Sequence, residues 1–123
     1  MIVAGFGFST RARGESLRDA LQRACDAAGI SAPHALATVD DKATTLAPLA
    51  RALGLPMRTV SHVMLTSQRT QTRSARVAAE RGTGSVAEAA ALAAAGPGAR
   101  LLAPRMQAQD RLASCALAEG DPE

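Results

Sequence analysis

The segment 82–92 joins a glycine-rich turn to a predicted helix, and its residue types suit the binding of an anion. Thr83, Gly84 and Ser85 stand where the first free backbone amides of that helix would collect a partial positive charge. Glu88 follows Ser85 by three residues, which is the spacing of a capping box. Two interpretations are open: a capped helix with no further role, which is the commoner meaning of this spacing, or an anion site with Glu88 facing the ligand.

Two other side chains have the chemistry for a functional site. Lys42 lies in the first turn of a predicted helix, where a cation opposes the helix dipole. It therefore either pairs with Asp40 or Asp41 or is directed at a ligand carboxylate. His62 has no metal-ligand partner at helical or strand spacing, so it is either a surface histidine or a general base for water. No metal site and no Ser-His-Asp arrangement is predicted.

Gly5 and Gly7 form a Gly-x-Gly pair in an apolar run, which is part of the pattern of dinucleotide-binding proteins. The third glycine of that pattern would stand at position 10, which is Thr10. A nicotinamide or flavin site is therefore not predicted, and no other cofactor is expected.

The elements that would position these residues alternate between strand and helix along the chain. Hydrophobic periodicity predicts three strands at 2–8, 35–39 and 57–60, helices at 15–28, from 40 or 41 to 53 and from 85 to about 96, and two final strands at 99–103 and 112–118. This order predicts a single α/β domain, residues 1–118, with a largely parallel sheet, crossover helices and a C-terminal antiparallel hairpin. Residues 119–123 are expected to form a flexible tail.

Composition limits the possible functions. The 123 residues suffice for one core, and no run approaches the roughly eighteen apolar residues of a membrane helix, so a soluble cytoplasmic protein without membrane contact is expected. Phe6 and Phe8 are the only aromatic residues, which argues against a stacking surface for nucleic acid. Cys25 and Cys115 lack a paired motif, and we expect two buried free thiols.

Positive charge is concentrated in the middle third of the sequence. Residues 42–81 carry seven basic side chains and one acidic side chain, whereas acidic side chains outnumber basic ones in both flanking thirds. Such a segment is either an ordinary solvated surface or the contact surface for a polyanionic ligand.

Several motifs occur together in one order along nearly the whole chain. They are a strand with Gly-x-Gly at 3–7, Leu-Ala-Thr-x-Asp-x-Lys at 36–42, Leu-Gly-Leu-Pro at 53–56, Ser-x-x-Val at 74–77, Gly-x-x-Ser-Val-Ala-Glu-Ala-Ala-Ala-Leu at 82–92 and the start of a hairpin at 99–104. This sequence closely resembles the CobE and CbiG C-terminal family of cobalamin biosynthesis. One motif departs from the family, because the hairpin keeps Arg105 but lacks a second cation of a Pro-Lys-x-Lys pattern, which weakens the case for a ligand role there.

The resemblance implies that the protein binds a precorrin or corrin intermediate, a tetrapyrrole fringed by acetate and propionate groups. Other cobalamin-pathway enzymes are the expected partners, and an exposed sheet edge leaves a homodimer open. The residues expected to contact the ligand are Gly5, Gly7, Thr38, Lys42, Ser74, Arg76, Thr83, Gly84 and Ser85.

Two alternatives remain from the sequence. The related CbiG opens a lactone of a cobalt-bearing intermediate and releases acetaldehyde, so a hydrolase is one alternative, with Glu88 or His62 as the residue that activates water. The other is a small phosphate- or nucleotide-binding module that uses the turn at 82–85.

Overall fold

The computed structural model describes residues 1–61, 83–96 and 98–120. The predicted alternation of strands and helices is confirmed. In chain order the elements are β1 (Ile2–Phe8), α1 (Gly14–Ala28), β2 (Ala35–Val39), a 3₁₀ turn (Asp40–Lys42), α2 (Ala43–Leu53), β3 (Met57–Val60), α3 (Thr83–Ala95), β4 (Arg100–Gln107) and β5 (Ala113–Glu119). No helix among these residues is long and apolar enough to cross a membrane.

The described strands form one five-stranded sheet in the order β3-β2-β1-β5-β4. β1, β2 and β3 are parallel, with Gly5 opposite Ala37, whereas β5 is antiparallel to β1 and to β4, with Gly5 opposite Ala116. The parallel half and the C-terminal hairpin agree with the predicted fold class. We call the side of the sheet where β1, β2 and β3 end the carboxyl edge, and the opposite side the amino edge.

Helices cover both faces of the sheet, so every strand near the centre is buried on two sides. α1 and α2 pack on one face through leucine and alanine side chains that meet Phe6, Leu36 and Leu117. α3 packs on the other face, where Ala116 and Ala118 of β5 meet Ala87 and Ala91. The alternation of side chains along each strand therefore divides the apolar residues between two cores.

The position of α3 depends on a glycine in β1. A Cβ atom on Gly5 would lie 2.3 Å from the carbonyl oxygen of Ala87 and 2.4 Å from the amide nitrogen of Ala91. At the other end of the helix, Ala95 lies against Gly120, beside the start of β1. α3 therefore runs antiparallel to β1, and its first turn lies toward the carboxyl edge.

The structure corrects two local predictions. The helix predicted from 40 or 41 to 53 begins later, because Asp40 and Asp41 belong to the 3₁₀ turn and Lys42 occupies the N-cap position of α2 without a side-chain cap hydrogen bond. Two residues of the predicted flexible tail are part of the domain: Glu119 is the last residue of β5, and Gly120 is buried and donates its N–H to the Met1 carbonyl oxygen at 2.9 Å.

Candidate functional site

The carboxyl edge brings together segments that are far apart in sequence. The chain leaves β1 at Phe8, β2 at Val39 and β3 at Val60, so residues 9–13, the 3₁₀ turn and Ser61 all lie at this edge. The first turn of α3 points to the same edge from the other face of the sheet. This is where open α/β sheets bind their ligands, because loops and helix N-termini converge there.

Lys42 extends from the 3₁₀ turn over an aromatic ring. Its side chain is half-buried, and Nζ lies 5.3 Å from the centroid of Phe8, which closes the core under α1 and α2. A cation in this position is attracted to the face of the ring. The predicted alternative, pairing with Asp40 or Asp41, is not formed within the described residues. The ammonium group is therefore held at the carboxyl edge by an apolar surface.

Two predicted ligand-binding residues lie inside the domain instead of at its edge. Thr38 is fully buried, and its hydroxyl donates to the carbonyl oxygen of Phe6 at 3.0 Å, which ties β2 to β1. Gly5 lies in the middle of β1, where the backbone of α3 covers it. Both residues have a packing role that accounts for their type, whether or not they also influence a ligand.

Glu88 is fully buried between α3 and β4. Its Oε2 lies 3.7 Å from Nη1 of Arg105, whose side chain is 29% exposed. Strand alternation explains the pairing, because Met106 faces α1 and its neighbour Arg105 faces α3. A carboxylate with no exposed surface is poorly placed to activate a water molecule, and the contact with Arg105 links α3 to the hairpin.

Several predicted residues cannot be placed in this way. His62, Ser74 and Arg76 lie outside the described residues. Thr83, Gly84 and Ser85 form the first turn of α3, but their side chains also lie outside the description. Gly7 is the next-to-last residue of β1, and it pairs with Ser114 of β5.

The described cations of the middle third are divided between the two edges. Lys42 lies at the carboxyl edge, whereas Arg58 reaches the opposite end of α3 and donates from Nη1 to the Ala94 carbonyl oxygen at 2.7 Å. That contact is favourable because the last carbonyl groups of a helix carry partial negative charge. Arg58 therefore supports α3 at the amino edge and does not belong to the predicted ligand surface.

Three residues at or near the carboxyl edge were not predicted from the sequence as ligand-binding residues. Arg11 and Arg13 follow β1 directly and are exposed. Their position directly after a predicted strand could have identified them as candidate ligand-binding residues. Ser114 is fully buried on β5, and its Oγ has no hydrogen-bond partner, a condition that costs about 1–3 kcal/mol. Nothing in the local sequence identifies Ser114, because its place depends on the pairing of β5 with β1.

The hairpin turn at the carboxyl edge is attached to α1 by two carboxylates. Asp19 accepts a hydrogen bond from the backbone N–H of Gln109 at 2.7 Å, and this bond is the main reason that the pKa of Asp19 is lowered. Asp110 accepts a hydrogen bond from the Ser16 hydroxyl, which likewise lowers the pKa of Asp110. These contacts fix the hairpin end of the carboxyl edge relative to α1.

The described residues also contain two cysteines, and neither forms a disulfide. Cys25 and Cys115 are buried free thiols, as predicted. Burial raises the pKa of Cys25 and raises that of Cys115 well above its ordinary value. In the described part of the chain no group of three or more His, Cys, Asp or Glu side chains is arranged to hold a metal ion.

Taken together, these features define an α/β domain with helices on both faces and a candidate ligand site at the carboxyl edge of its sheet. The sequence profile described as Cobalamin synthesis G C-terminus matches residues 2–118. The chain therefore belongs to the CbiG C-terminal family of cobalamin biosynthesis proteins, as the motifs in the sequence predicted.

Solved structures agree with this assignment. The chain is 34% identical to CobE of the cobalamin pathway, with a TM-score of 0.76 over 100% of this chain and 92% of that one. It is 30% identical to the cobalamin biosynthesis protein chiG of Agrobacterium tumefaciens, with a TM-score of 0.72 over 99% and 100%. A putative cobalamin biosynthesis protein G homolog from Sulfolobus solfataricus shares the fold at 16% identity, with a TM-score of 0.77 over 99% of this chain and 37% of that one. No curated protein matches the sequence.

Proposed function

We propose that this protein binds a polycarboxylate tetrapyrrole intermediate of cobalamin biosynthesis and assists a step that modifies the ring. The observation that carries the proposal is that Lys42 and the first turn of α3 lie at the same edge of the sheet. Lys42 lies over Phe8 on the face covered by α1 and α2, whereas α3 covers the opposite face. A ligand that contacts both must extend across the end of the sheet.

A tetrapyrrole meets this requirement better than a single small anion. Its macrocycle is broad and apolar, and its acetate and propionate groups are spread around the rim, so that separate carboxylates can reach separate donors. A lysine ammonium and free helix amides are both suitable donors for carboxylates. Arg11 and Arg13, which are exposed at the same edge, would add to the attraction.

The test is an absorbance titration of hydrogenobyrinic acid with the purified protein, followed by mass spectrometry of the recovered ligand. We expect a spectral change with an unchanged ligand mass, and about tenfold weaker binding for Lys42→Met, because one charge-assisted contact is lost. Arg51→Met is the matched control, since Arg51 is an exposed cation near the end of α2, away from the carboxyl edge. No spectral change with hydrogenobyrinic acid or with an earlier lactone-bearing intermediate would refute the proposal.

In the hydrolase alternative, Glu88 is the weaker of the two candidates for activating water, because its carboxylate has no exposed surface. His62 is then the stronger candidate for activating water. If the protein releases acetaldehyde from a lactone-bearing intermediate and His62→Gln abolishes this release, the protein is a hydrolase and not only a binding protein. Thermal stabilisation by nucleotides and not by tetrapyrroles would instead favour the phosphate-binding module.

We also propose that the protein works in the cytoplasm and transfers its ligand to other enzymes of the cobalamin pathway. Belonging to the family supports a shared pathway. Transfer would be observed as a faster reaction of a downstream enzyme with protein-bound ligand than with free ligand. A homodimer through an exposed sheet edge is testable by sedimentation.

A further inference from the structure

Ser114 is a buried polar residue whose hydroxyl has no hydrogen-bond partner in the described protein. Buried hydroxyl groups are normally paired, because leaving one unpaired costs free energy that an alanine in its place would not. The hydroxyl therefore has an unused capacity to donate and accept hydrogen bonds.

The strand register places Ser114 beneath the start of α3. Ser114 shares a face of β5 with Ala116 and Ala118, which α3 covers. Ala116 lies opposite Gly5, where α3 crosses the sheet at Ala87 and Ala91. Ser114 lies two residues from Ala116 along β5, toward the carboxyl edge. That step is about 6.6–6.8 Å along the strand, which corresponds to about four residues of helix. Four residues before the crossing point is the first turn of α3.

The neighbours of this hydroxyl are known from the strand pairing and from α3. Across the sheet Ser114 has Gly7 of β1 on one side and Gln107 of β4 on the other, and neither accepts a hydrogen bond from its Oγ. The acid of this region, Glu88, lies 3.7 Å from Arg105, so its charge is opposed by a cation. The first amides of α3 have no acceptors inside the helix and carry partial positive charge.

We propose that the Ser114 hydroxyl and the amides in the first turn of α3 form a receptor for one carboxylate of the ligand. The hydroxyl and the amides donate to the carboxylate oxygens. Because Ser114 is covered, a single carboxylate arm enters and the body of the ligand stays at the edge. That the arm belongs to a tetrapyrrole rests on the proposed function, whereas the preference for a carboxylate rests on the donors.

The test compares Ser114→Ala with the wild-type protein in the hydrogenobyrinic acid titration. We expect about tenfold weaker binding, because a hydrogen bond to a charged acceptor is lost, together with an unchanged or higher Tm of the free protein. Ser31→Ala, a change at an exposed serine near the amino edge, should leave the affinity unchanged. Ser114→Cys nearly preserves the side-chain volume and replaces the hydroxyl with a weaker donor, so it should also weaken binding. If Ser114→Ala does not fold, Ser114→Cys is the variant that tests the receptor.

Equal affinity of the wild-type protein and the folded Ser114 variants would overturn the receptor and leave the proposed function intact. If the wild-type protein does not bind the tetrapyrrole, the proposed function fails and citrate becomes the probe. Citrate should then shift the NMR amide signals of Gly84 and Ser85 in the wild-type protein and not in Ser114→Ala. If citrate does not shift them, or shifts them equally in both proteins, the receptor is wrong as well.

Discussion

Gly5 of β1 and Ala87 of α3 are in direct backbone contact across the interface of helix and sheet. A Cβ atom on Gly5 would lie 2.3 Å from the Ala87 carbonyl oxygen, far inside van der Waals contact. Because the obstacle is backbone, no side-chain rotation can relieve it. The contact sets how closely α3 approaches the sheet, and the helix carries the first turn that the proposed ligand site uses.

Gly5→Ala should therefore destabilise the protein by about 1–3 kcal/mol or more, because α3 must move away from β1. Urea unfolding measures the change. Gly14→Ala is the matched control, since a Cβ on Gly14 would meet no atom within 4 Å and alanine favours a helix. If Gly5→Ala proved as stable as the wild-type protein, α3 would not be seated on β1 as described.

Breaking the contact between Glu88 and Arg105 should cost more than breaking an exposed ion pair. Arg105→Met leaves a carboxylate with no exposed surface beside an apolar side chain, and we expect a loss of about 2–3 kcal/mol. Arg100 lies on β4 like Arg105, and it forms an exposed ion pair with Glu119 of β5 at 3.0 Å. Arg100→Met breaks this shorter pair and should cost less than about 1 kcal/mol.

The double variant Glu88→Gln/Arg105→Met isolates the interaction between the two side chains. It should lose less stability than the sum of the two single variants, because the charge and its partner are removed together. If Arg105→Met and Arg100→Met lower the free energy of unfolding equally, or if the effects in the double variant are strictly additive, the buried pair stabilises the protein no more than the exposed pair does.

The contact of α1 with the hairpin should weaken in acid. Hydrogen bonding lowers the pKa of Asp19 in the folded protein, chiefly through the Gln109 amide. A lowered folded-state pKa gives stability that is present above the unfolded-state pKa, about 3.9, and is lost as the pH falls through the folded-state pKa. We therefore expect the Gln109 amide to exchange faster with solvent, relative to its intrinsic rate, below about pH 4.

Asp19→Asn should remove most of this pH dependence. Asp26→Asn is the control, because it removes a carboxylate that accepts a hydrogen bond from Gln22 of the same helix and does not touch the hairpin. Protection of the Gln109 amide that stays constant between pH 6 and pH 3 in the wild-type protein would contradict the prediction.

Both thiols should resist alkylation in the folded protein. Burial raises the pKa of Cys25 and of Cys115, which lowers the fraction of reactive thiolate. We expect no rapid reaction with Ellman's reagent in native buffer and two thiols in concentrated urea. Cys25 should react before Cys115, since it lines a cavity of about 200 Å³ between the ends of α1 and α2. Faster reaction of Cys115 would indicate that the centre of the sheet opens first.

The local elements could be predicted well from the sequence. The bounds predicted for β1, β2 and β3 agree with the structure, because short apolar runs that end at a polar residue, here Ser9, Asp40 and Ser61, are local signals. The ordered motifs, above all the one at 82–92, were sufficient to predict the family. The parallel half of the sheet followed from the alternation of strands and helices.

Residue roles that depend on distant partners could be assigned only from the tertiary structure. The spacing of Ser85 and Glu88 is a local signal for a capping box, whereas the contact of Glu88 with Arg105 of β4 depends on the fold. Thr38 was predicted to contact the ligand and lies in the core, Arg58 supports the far end of α3, and Ser114 had no local signal at all. Periodicity and caps arise from neighbours in the chain, whereas strand order, register and helix packing decide which distant side chains meet.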